Sequence, residues 1–332
     1  MTRAFQLVFT LLFLLAPVSL FAQESSEQDD PLVEALRKLK ISGYIQGQYV
    51  ASDASVDEFS VRRARLKVVY RANAFAAATI QLDAARDVTV KDAFIELTEP
   101  WTGWNNTLTL GQFKWPFGFE LLYSSSSREM PERSRVVRAL FPGERDRGAM
   151  MSGEGFGERL DYRLAVVNGS GTEEDHDPNS DKDLVGRLGW DFGSLALGGS
   201  FYSGEDLVAT PANPAGEPFD KTRLGADLQW ATPLPGSTVR AEYIEGEERG
   251  ADVRGWYAYV IQKLGERNEI AVRVDEYDPD DALAGDAILT VGGSWTLHFD
   301  RHTKLMLAWE RPEREEADPN DDVFTARVQF KF

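Results

Sequence analysis

The end of the chain constrains the fold most. Phe324, Ala326, Val328, Phe330 and Phe332 fall on one side of a strict alternation, and Thr325, Arg327, Gln329 and Lys331 on the other. Successive side chains of a β-strand point to opposite faces, so this segment is a ribbon with one apolar and one wetted face. In a soluble sandwich the apolar face meets a second sheet; in a membrane barrel it meets lipid. The same period of two runs from Ile41 to Phe332. Candidate strands fall at 41–50, 59–71, 75–85, 90–99, 106–113, 147–155, 159–168, 183–191, 194–202, 221–231, 236–245, 253–264, 268–277, 287–299, 303–312 and 322–332. That is about sixteen, an even number, as single-chain bacterial barrels require.

The connections separate barrel from sandwich. With a periplasmic N-terminus, they alternate between outside and inside. The inner ones are short: Ala72-Asn73, Phe156-Gly157-Glu158, Asp191-Phe192-Gly193, Pro233-Leu234-Pro235, Gly265-Glu266-Arg267 and Asp300-Arg301-His302, with 100–105 slightly longer. The outer ones, 51–58, 114–146, 169–182, 203–220, 246–252, 278–286 and 313–321, are longer and polar, and only 86–89 is short. Short periplasmic turns and long external loops mark an outer-membrane barrel. Trp101, Trp104, Trp190, Phe192, Trp230, Phe299 and Phe332 gather at the short-turn end, where amphipathic rings suit the headgroup level. The expected fold is all-β: a transmembrane antiparallel barrel over 41–332.

The remaining 40 residues read differently. Arg3, the apolar run Phe5 to Leu15, and Leu20-Phe21-Ala22 make a signal peptide over 1–22, with Gln23 as the first mature residue. Residues 23–40 form a periplasmic extension: acidic from Glu24 to Asp30, then a short helical pattern opened by Pro31 with Leu32, Val33, Leu36 and Leu39. The mean hydropathy of -0.35 does not describe a helical membrane protein. It leaves a barrel open, because the lumenal face of a barrel is polar. The absence of cysteine removes disulfides, thiolate metal sites, thiol nucleophiles and an N-terminal lipid anchor on Cys.

Between residues 59 and 153 the sequence resembles the phosphate-selective porin O and P family. The matching blocks are Phe59-Ser60-Val61-Arg62-Arg63-Ala64-Arg65-Leu66, Lys91-Asp92-Ala93-Phe94-Ile95-Glu96, Leu110-Gly111-Gln112-Phe113-Lys114-Trp115-Pro116-Phe117-Gly118, Glu132-Arg133-Ser134 and Pro142-Gly143. The resemblance implies a sixteen-stranded trimeric barrel whose third external loop folds into the lumen, with inward arginines that guide anions. The chain departs from it at Glu144 and Asp146, which flank Arg145 where the resemblance implies basic residues.

Two groups of cations are candidates for lining a pore. Alternation turns Arg63, Arg65 and Lys67 inward, in steps of about 6.6 Å, twice the strand rise. An outward Arg at mid-bilayer costs roughly 2–4 kcal/mol. Arg327 and Lys331 are inward by the same logic. These cations either guide anions or neutralise lumenal carboxylates such as Asp83, Asp92 and Glu96. The second group lies in the long connection 114–146: Lys114, Arg128, Arg133, Arg135, Arg138 and Arg145, interrupted by Glu120, Glu129, Glu132, Glu144 and Asp146. Phe117, Phe119, Leu121, Leu122, Tyr123, Val136, Val137, Leu140 and Phe141 make this loop too apolar to lie free in water, so a constriction loop against the inner wall is expected. A lid packed on other external loops or on a trimer partner is the alternative.

The net charge of -18 is concentrated elsewhere. Glu173, Glu174, Asp175, Asp177, Asp181 and Asp183 belong to the fourth external loop, Asp278, Asp280, Asp281 and Asp286 to the seventh, and Glu313, Glu315, Glu316, Asp318, Asp321 and Asp322 to the eighth. They form a solvated acidic mouth, or a surface that bridges lipopolysaccharide phosphates through divalent cations. None has the glycine placement of an EF-hand loop. Of the three histidines, His298 and His302 lie near the periplasmic end and His176 outside. No Gly-x-Ser-x-Gly or His-Glu-x-x-His motif, phosphate-binding glycine loop or nucleic-acid module occurs. No enzyme, cofactor, metal site or nucleic-acid partner is therefore expected.

The expected function is passive diffusion of small hydrophilic solutes across the bacterial outer membrane, with a weak preference for anions such as phosphate, by a homotrimer set in lipid and lipopolysaccharide. The competing expectation is a non-conducting envelope or adhesion barrel acting through its acidic loops. The alternation of loop length predicts sidedness. Single cysteines within 173–181 and 314–320 should react with a membrane-impermeant thiol reagent on intact cells. Asn73→Cys and Glu266→Cys should not; reversed labelling contradicts the topology.

Overall fold

The computed structural model describes residues 31–53, 55–172, 179–208, 213, 216–314 and 322–332. The chain divides into two units, Met1–Leu39 and Lys40–Phe332. In the first, the described residues form helix α1, Pro31–Arg37. Proline suits a first turn because its missing N–H would have been unpaired there. The expected leader, 1–22, and the acidic stretch 23–30 lie outside the described residues.

The second unit is a closed barrel in which every strand pairs with its sequence neighbours. The strands are β1 (Leu39–Ser52), β2 (Ser55–Arg71), β3 (Ala76–Asp83), β4 (Thr89–Thr98), β5 (Thr107–Lys114), β6 (Arg145–Gly155), β7 (Leu160–Val167), β8 (Asp183–Asp191), β9 (Leu195–Val208), β10 (Glu217–Ala231), β11 (Ser237–Glu248), β12 (Ala251–Leu264), β13 (Asn268–Asp278), β14 (Ile288–His298), β15 (Thr303–Arg314) and β16 (Val323–Lys331). All sixteen expected strands are present. β1 closes on β16 in antiparallel register, from Tyr44 opposite Lys331 to Ser52 opposite Val323.

The seam depends on a close approach. Gly43 and Phe332 exchange two backbone hydrogen bonds, each of 3.0 Å. A Cβ on residue 43 would lie 2.3 Å from the Arg65 carbonyl oxygen and 2.6 Å from the Phe332 ring.

The two faces are inverted relative to a water-soluble protein. Ile80, Ile95, Leu188, Leu224 and Val260 each leave more than half of their surface open on the outside. Arg63, Arg65, Asp83, Asp92, Arg240, Glu242, Arg273, Asp275 and Arg327 are buried on the inside. Charge inside and a continuous apolar skin outside suit lipid, not water. Aromatic rings follow one another around the short-turn end: Phe75–Trp101 at 6.4 Å, Trp104–Phe156 at 5.7 Å, Phe156–Trp190 at 5.5 Å and Trp190–Phe192 at 6.2 Å between centroids.

Several strands run further than alternation indicates. The expected loops 51–58 and 246–252 are mostly strand. β11 and β12 are joined through Arg249 and Gly250 alone, with φ of 54° and 83°. Left-handed backbone at both residues matches the primed two-residue hairpin turn. Likewise β9 reaches Val208 and β15 reaches Arg314, inside the expected loops 203–220 and 313–321. Beyond the lipid both faces of a strand are wet, so the apolar signal fades while backbone pairing continues. Asp183 and Asp278, assigned to the acidic mouth, are buried strand residues. Asp183 pairs with Lys221 at 3.3 Å and accepts a hydrogen bond from Tyr202. Of the other mouth residues, Glu173, Glu174, Asp175, His176, Asp177, Glu315, Glu316, Asp318 and Asp321 lie outside the described residues.

The seam generates a prediction. Gly43→Val should prevent Phe332 from docking and sharply reduce the fraction of folded barrel, read as unheated mobility on an SDS gel. Phe332→Asp should act in the same direction. Normal folded yield for both would show that closure does not depend on this contact.

Candidate functional site

The connection between β5 and β6, residues 115–144, lies inside the barrel. Trp115, Phe117, Leu121, Met130, Val136, Val137, Leu140 and Phe141 are almost wholly buried, clustered with the wall residues Val185, Tyr202, Ile244, Tyr257 and Tyr259. The barrel's hydrophobic core is therefore loop against wall. Its centre is aromatic, with Phe117–Phe141 at 4.8 Å and Trp115–Phe141 at 5.7 Å. Helix α2, Arg135–Leu140, carries Val136, Val137 and Leu140 on its buried side. Gly255 makes room for it: a Cβ there would be 2.7 Å from Val136. Gly225 does the same for the Phe117 ring, at 2.8 Å.

Polar anchors fix the loop's backbone. One Glu242 carboxylate oxygen accepts from the amides of Phe119 (3.2 Å) and Glu120 (3.1 Å) and from the Tyr257 hydroxyl (2.8 Å). Glu120 accepts from the Ser134 amide at 2.9 Å, the Ser134 hydroxyl at 2.6 Å and the Tyr259 hydroxyl at 3.1 Å. The Arg135 amide, at the start of α2, donates to Asp275 at 2.9 Å. Glu129 pairs with Arg240 at 2.9 Å, and that guanidinium stacks over Phe119 and Tyr123. Wall cations donate to loop carbonyls: Arg327 to Pro131 at 2.6 Å, Arg273 to Glu132 at 2.9 Å and Lys304 to Arg128 at 3.1 Å. Lys114 donates to the carbonyls of Leu121, Leu122 and Tyr123. Buried backbone groups need such partners, and a loop without a ladder finds them in side chains.

The candidate cations divide by partner. Arg63 and Arg327 both face inward and both bind Glu132, at 2.7 and 2.9 Å. Arg62 reaches the same carboxylate at 2.8 Å, so alternation breaks between Arg62 and Arg63. Arg65 pairs with Asp83 at 2.9 Å. Arg145 pairs with Asp92 at 2.6 Å and with Glu144 at 3.0 Å, and Arg133 also binds Glu144. Arg128 is buried between Glu132 and Glu144, 3.9 Å from each. Arg138 is exposed. Among the described residues, Lys67 and Lys91 have no ion pair, and Glu96 meets no cation. Burial alone would raise the Glu132 carboxyl, but Arg63, Arg62, Arg327 and Arg128 outweigh it and hold it well below the usual carboxylate range. Burial of Glu144 is outweighed in the same way by Arg133, Arg128 and Arg145. A depressed folded-state value means that each contribution is present above the ordinary carboxylate range and is lost only as pH falls through the depressed value.

Sequence reasoning did not single out Glu242, Arg240, Arg273, Asp275, Tyr257 and Tyr259. Their signal is a run of charged or phenolic side chains at alternate, inward positions of β11 to β13. It becomes informative only once a loop is known to need partners.

Two cavities lie along the β1–β5 wall. One opens toward the long-connection end, with a volume of about 850 Å³; its charged lining is Arg62, Arg86 and Lys91 against Glu58, Asp83 and Asp87. The other, about 350 Å³, lies toward the short-turn end. Arg65, Lys67, Lys114, Arg145 and Lys331 line it, with Asp92 as its one carboxylate and Ser42, Ser124, Ser125 and Ser126 as hydroxyls. The Arg65–Asp83 pair stands between the two cavities.

Residues 42–205 match the family described as Phosphate-selective porin O and P. No curated protein matches the chain. Among solved structures, the anion-selective porin from Comamonas acidovorans is similar at a TM-score of 0.66 and 12% identity, over 89% of this chain and 99% of that one. A loop-deletion mutant of OmpT, an outer membrane protein of Vibrio cholerae, gives 0.65 and 10% over 89% and 99%. The trimer form of OmpT gives 0.62 and 8% over the same shares. At these identities the likeness is one of fold.

Glu242 is the anchor whose loss should be most visible. Glu242→Ala leaves two loop amides and a hydroxyl without their acceptor, at about 1–3 kcal/mol for each group that water does not reach. The melting temperature should fall, and trypsin should cut after Arg133 or Arg135, which the native packing shields. Glu242→Gln keeps an acceptor and should be milder. Unchanged proteolysis in the alanine variant would remove Glu242 as an anchor.

Proposed function

Since residues 42–205 match the phosphate-selective porin O and P family and the barrel has a porin fold, we propose that this chain is an outer-membrane porin that passes small hydrophilic solutes along its β1–β5 wall. The short-turn end faces the periplasm, the outer skin meets lipid and lipopolysaccharide, and the barrel assembles as a homotrimer. The inner loop narrows the lumen, and the two cavities along the β1–β5 wall are wide parts of the passage.

A weak preference for anions goes with this reading. One observation carries it: the lower cavity is lined by five cations and one carboxylate, whereas the upper one is balanced. Arg65 and Arg145 are ion-paired and present mainly dipoles. Lys67 has no ion pair among the described residues, so its field is not cancelled locally. The low-dielectric wall strengthens that field relative to bulk water. The acidic mouth opposes it, but exposed charges are screened over about 8 Å at physiological salt.

A second reading, a non-conducting envelope barrel, is favoured by how thoroughly the loop packs across the lumen. Purified protein in planar bilayers decides between them. The porin should give stable conductance steps, and a folded but silent barrel supports the second reading. In a salt gradient the wild-type reversal potential should show anion preference. Lys67→Glu should move it toward cations. Wild-type cation preference would overturn the anion assignment.

A further inference from the structure

Beneath the inner loop, on the wall made by β15, β16 and β1, is a small recess that shares only Ser125 with the lower of the two cavities described above. Its volume is only about 10 Å³, room for one small occupant. Its charged lining is Arg128, Lys304 and Arg327, with no carboxylate. Nε and Nη2 of Arg128 are buried and meet no hydrogen-bond acceptor among the described residues. A buried guanidinium in this state is costly unless an acceptor is supplied.

Charge and donor counts identify the occupant. Arg62, Arg63, Arg128 and Arg327 surround Glu132, and Arg128 also lies 3.9 Å from Glu144, which Arg133 and Arg145 share, so cations outnumber carboxylates here. Lys304 spends one of its three N–H donors on the Arg128 carbonyl. The neutral groups offer little in return: Gln329 Oε1 already accepts from Gln46, and Ser125 Oγ already accepts from Arg65. A water molecule here would bring two donors of its own to a site already short of acceptors. A monatomic anion brings none and only accepts. Met130 and Met306 complete the lining, and their flexible thioethers can yield the few tenths of an ångström by which a halide exceeds a water.

We propose that this recess holds a resident chloride ion, bound by Arg128 and Lys304, that locks the inner loop to the barrel wall. The ion is structural, so the assignment holds whether or not the barrel conducts.

The test uses the full-length protein in detergent. At constant ionic strength, replacing gluconate by chloride or bromide should raise the melting temperature saturably, by about 2–4 °C at ten times the dissociation constant. Arg128→Met, which removes the donors, should abolish the rise. Should that variant not fold, Met306→Phe fills the recess with every charge kept and should also abolish it. Crystals grown in bromide should show one anomalous peak beside Arg128. A bromide-free recess, or a halide effect of equal size in wild type and the recess-filling variant, would overturn the proposal. So would a peak without any halide-dependent stabilisation.

Discussion

Everything in this structure follows from the need to pair the backbone. In hydrocarbon an unpaired N–H or C=O costs several kcal/mol, so a sheet that enters the bilayer must close on itself. Here closure is made by β1 against β16, ending in the reciprocal bonds of Gly43 and Phe332. Once the sheet is closed, the parity of each residue decides whether it meets lipid or lumen. That is why Leu66 and Val68 can stand beside Arg65 and Lys67 without conflict. It also leaves a lumen too wide for wall side chains alone to fill. The β5–β6 connection enters that space and supplies the core that a sandwich would have made from a second sheet.

Much of this was legible because a strand's period is two. Alternation gave the strand number and the inward set on β2 and β16, and the apolar content of residues 115–144 gave a loop that does not lie in water. The strand ends were not legible, because the signal depends on lipid, and β2, β9, β11 and β15 continue past it. Helix α2 was missed because six residues, with no side-chain cap bond, carry almost no pattern of their own. Pairing was partly recoverable: Arg65 lies directly opposite Asp83 in the β2–β3 register. The Asp92–Arg145 pair spans β4 to β6, and Glu132 joins a loop to β2 and β16. No local rule reaches those distances.

The same pairing changes what the charges mean. Taken from the sequence, Arg63, Arg65, Arg128, Arg133, Arg145 and Arg327 form one pool of candidate filter residues. In the structure most of them are struts, holding Glu132, Glu144, Asp83 and Asp92 and, through the two glutamates, the inner loop. Buried ion pairs of this kind are weak evidence for net stability, since desolvation offsets much of their attraction. Their effect is positional: a guanidinium with its donors in a fixed fork places a loop carboxylate, and hence the loop, against one part of the wall.

It follows that neither the charge of the whole chain nor the count of lumenal arginines predicts the field a solute meets. A paired arginine contributes a dipole, whose potential falls off faster with distance than that of a single charge. An unpaired lysine such as Lys67 contributes the full Coulomb term, about 332/(εr) kcal/mol for a unit charge at r Å. The net charge of -18 includes exposed carboxylates between the strands, such as Asp53, Asp87, Glu266 and Asp281, whose reach water and salt reduce. The potential along the β1–β5 wall is then set by the few cations that the loop's carboxylates do not claim. A substitution that frees a strut can therefore change the field as much as one that removes a lysine, but only after it has also loosened the loop.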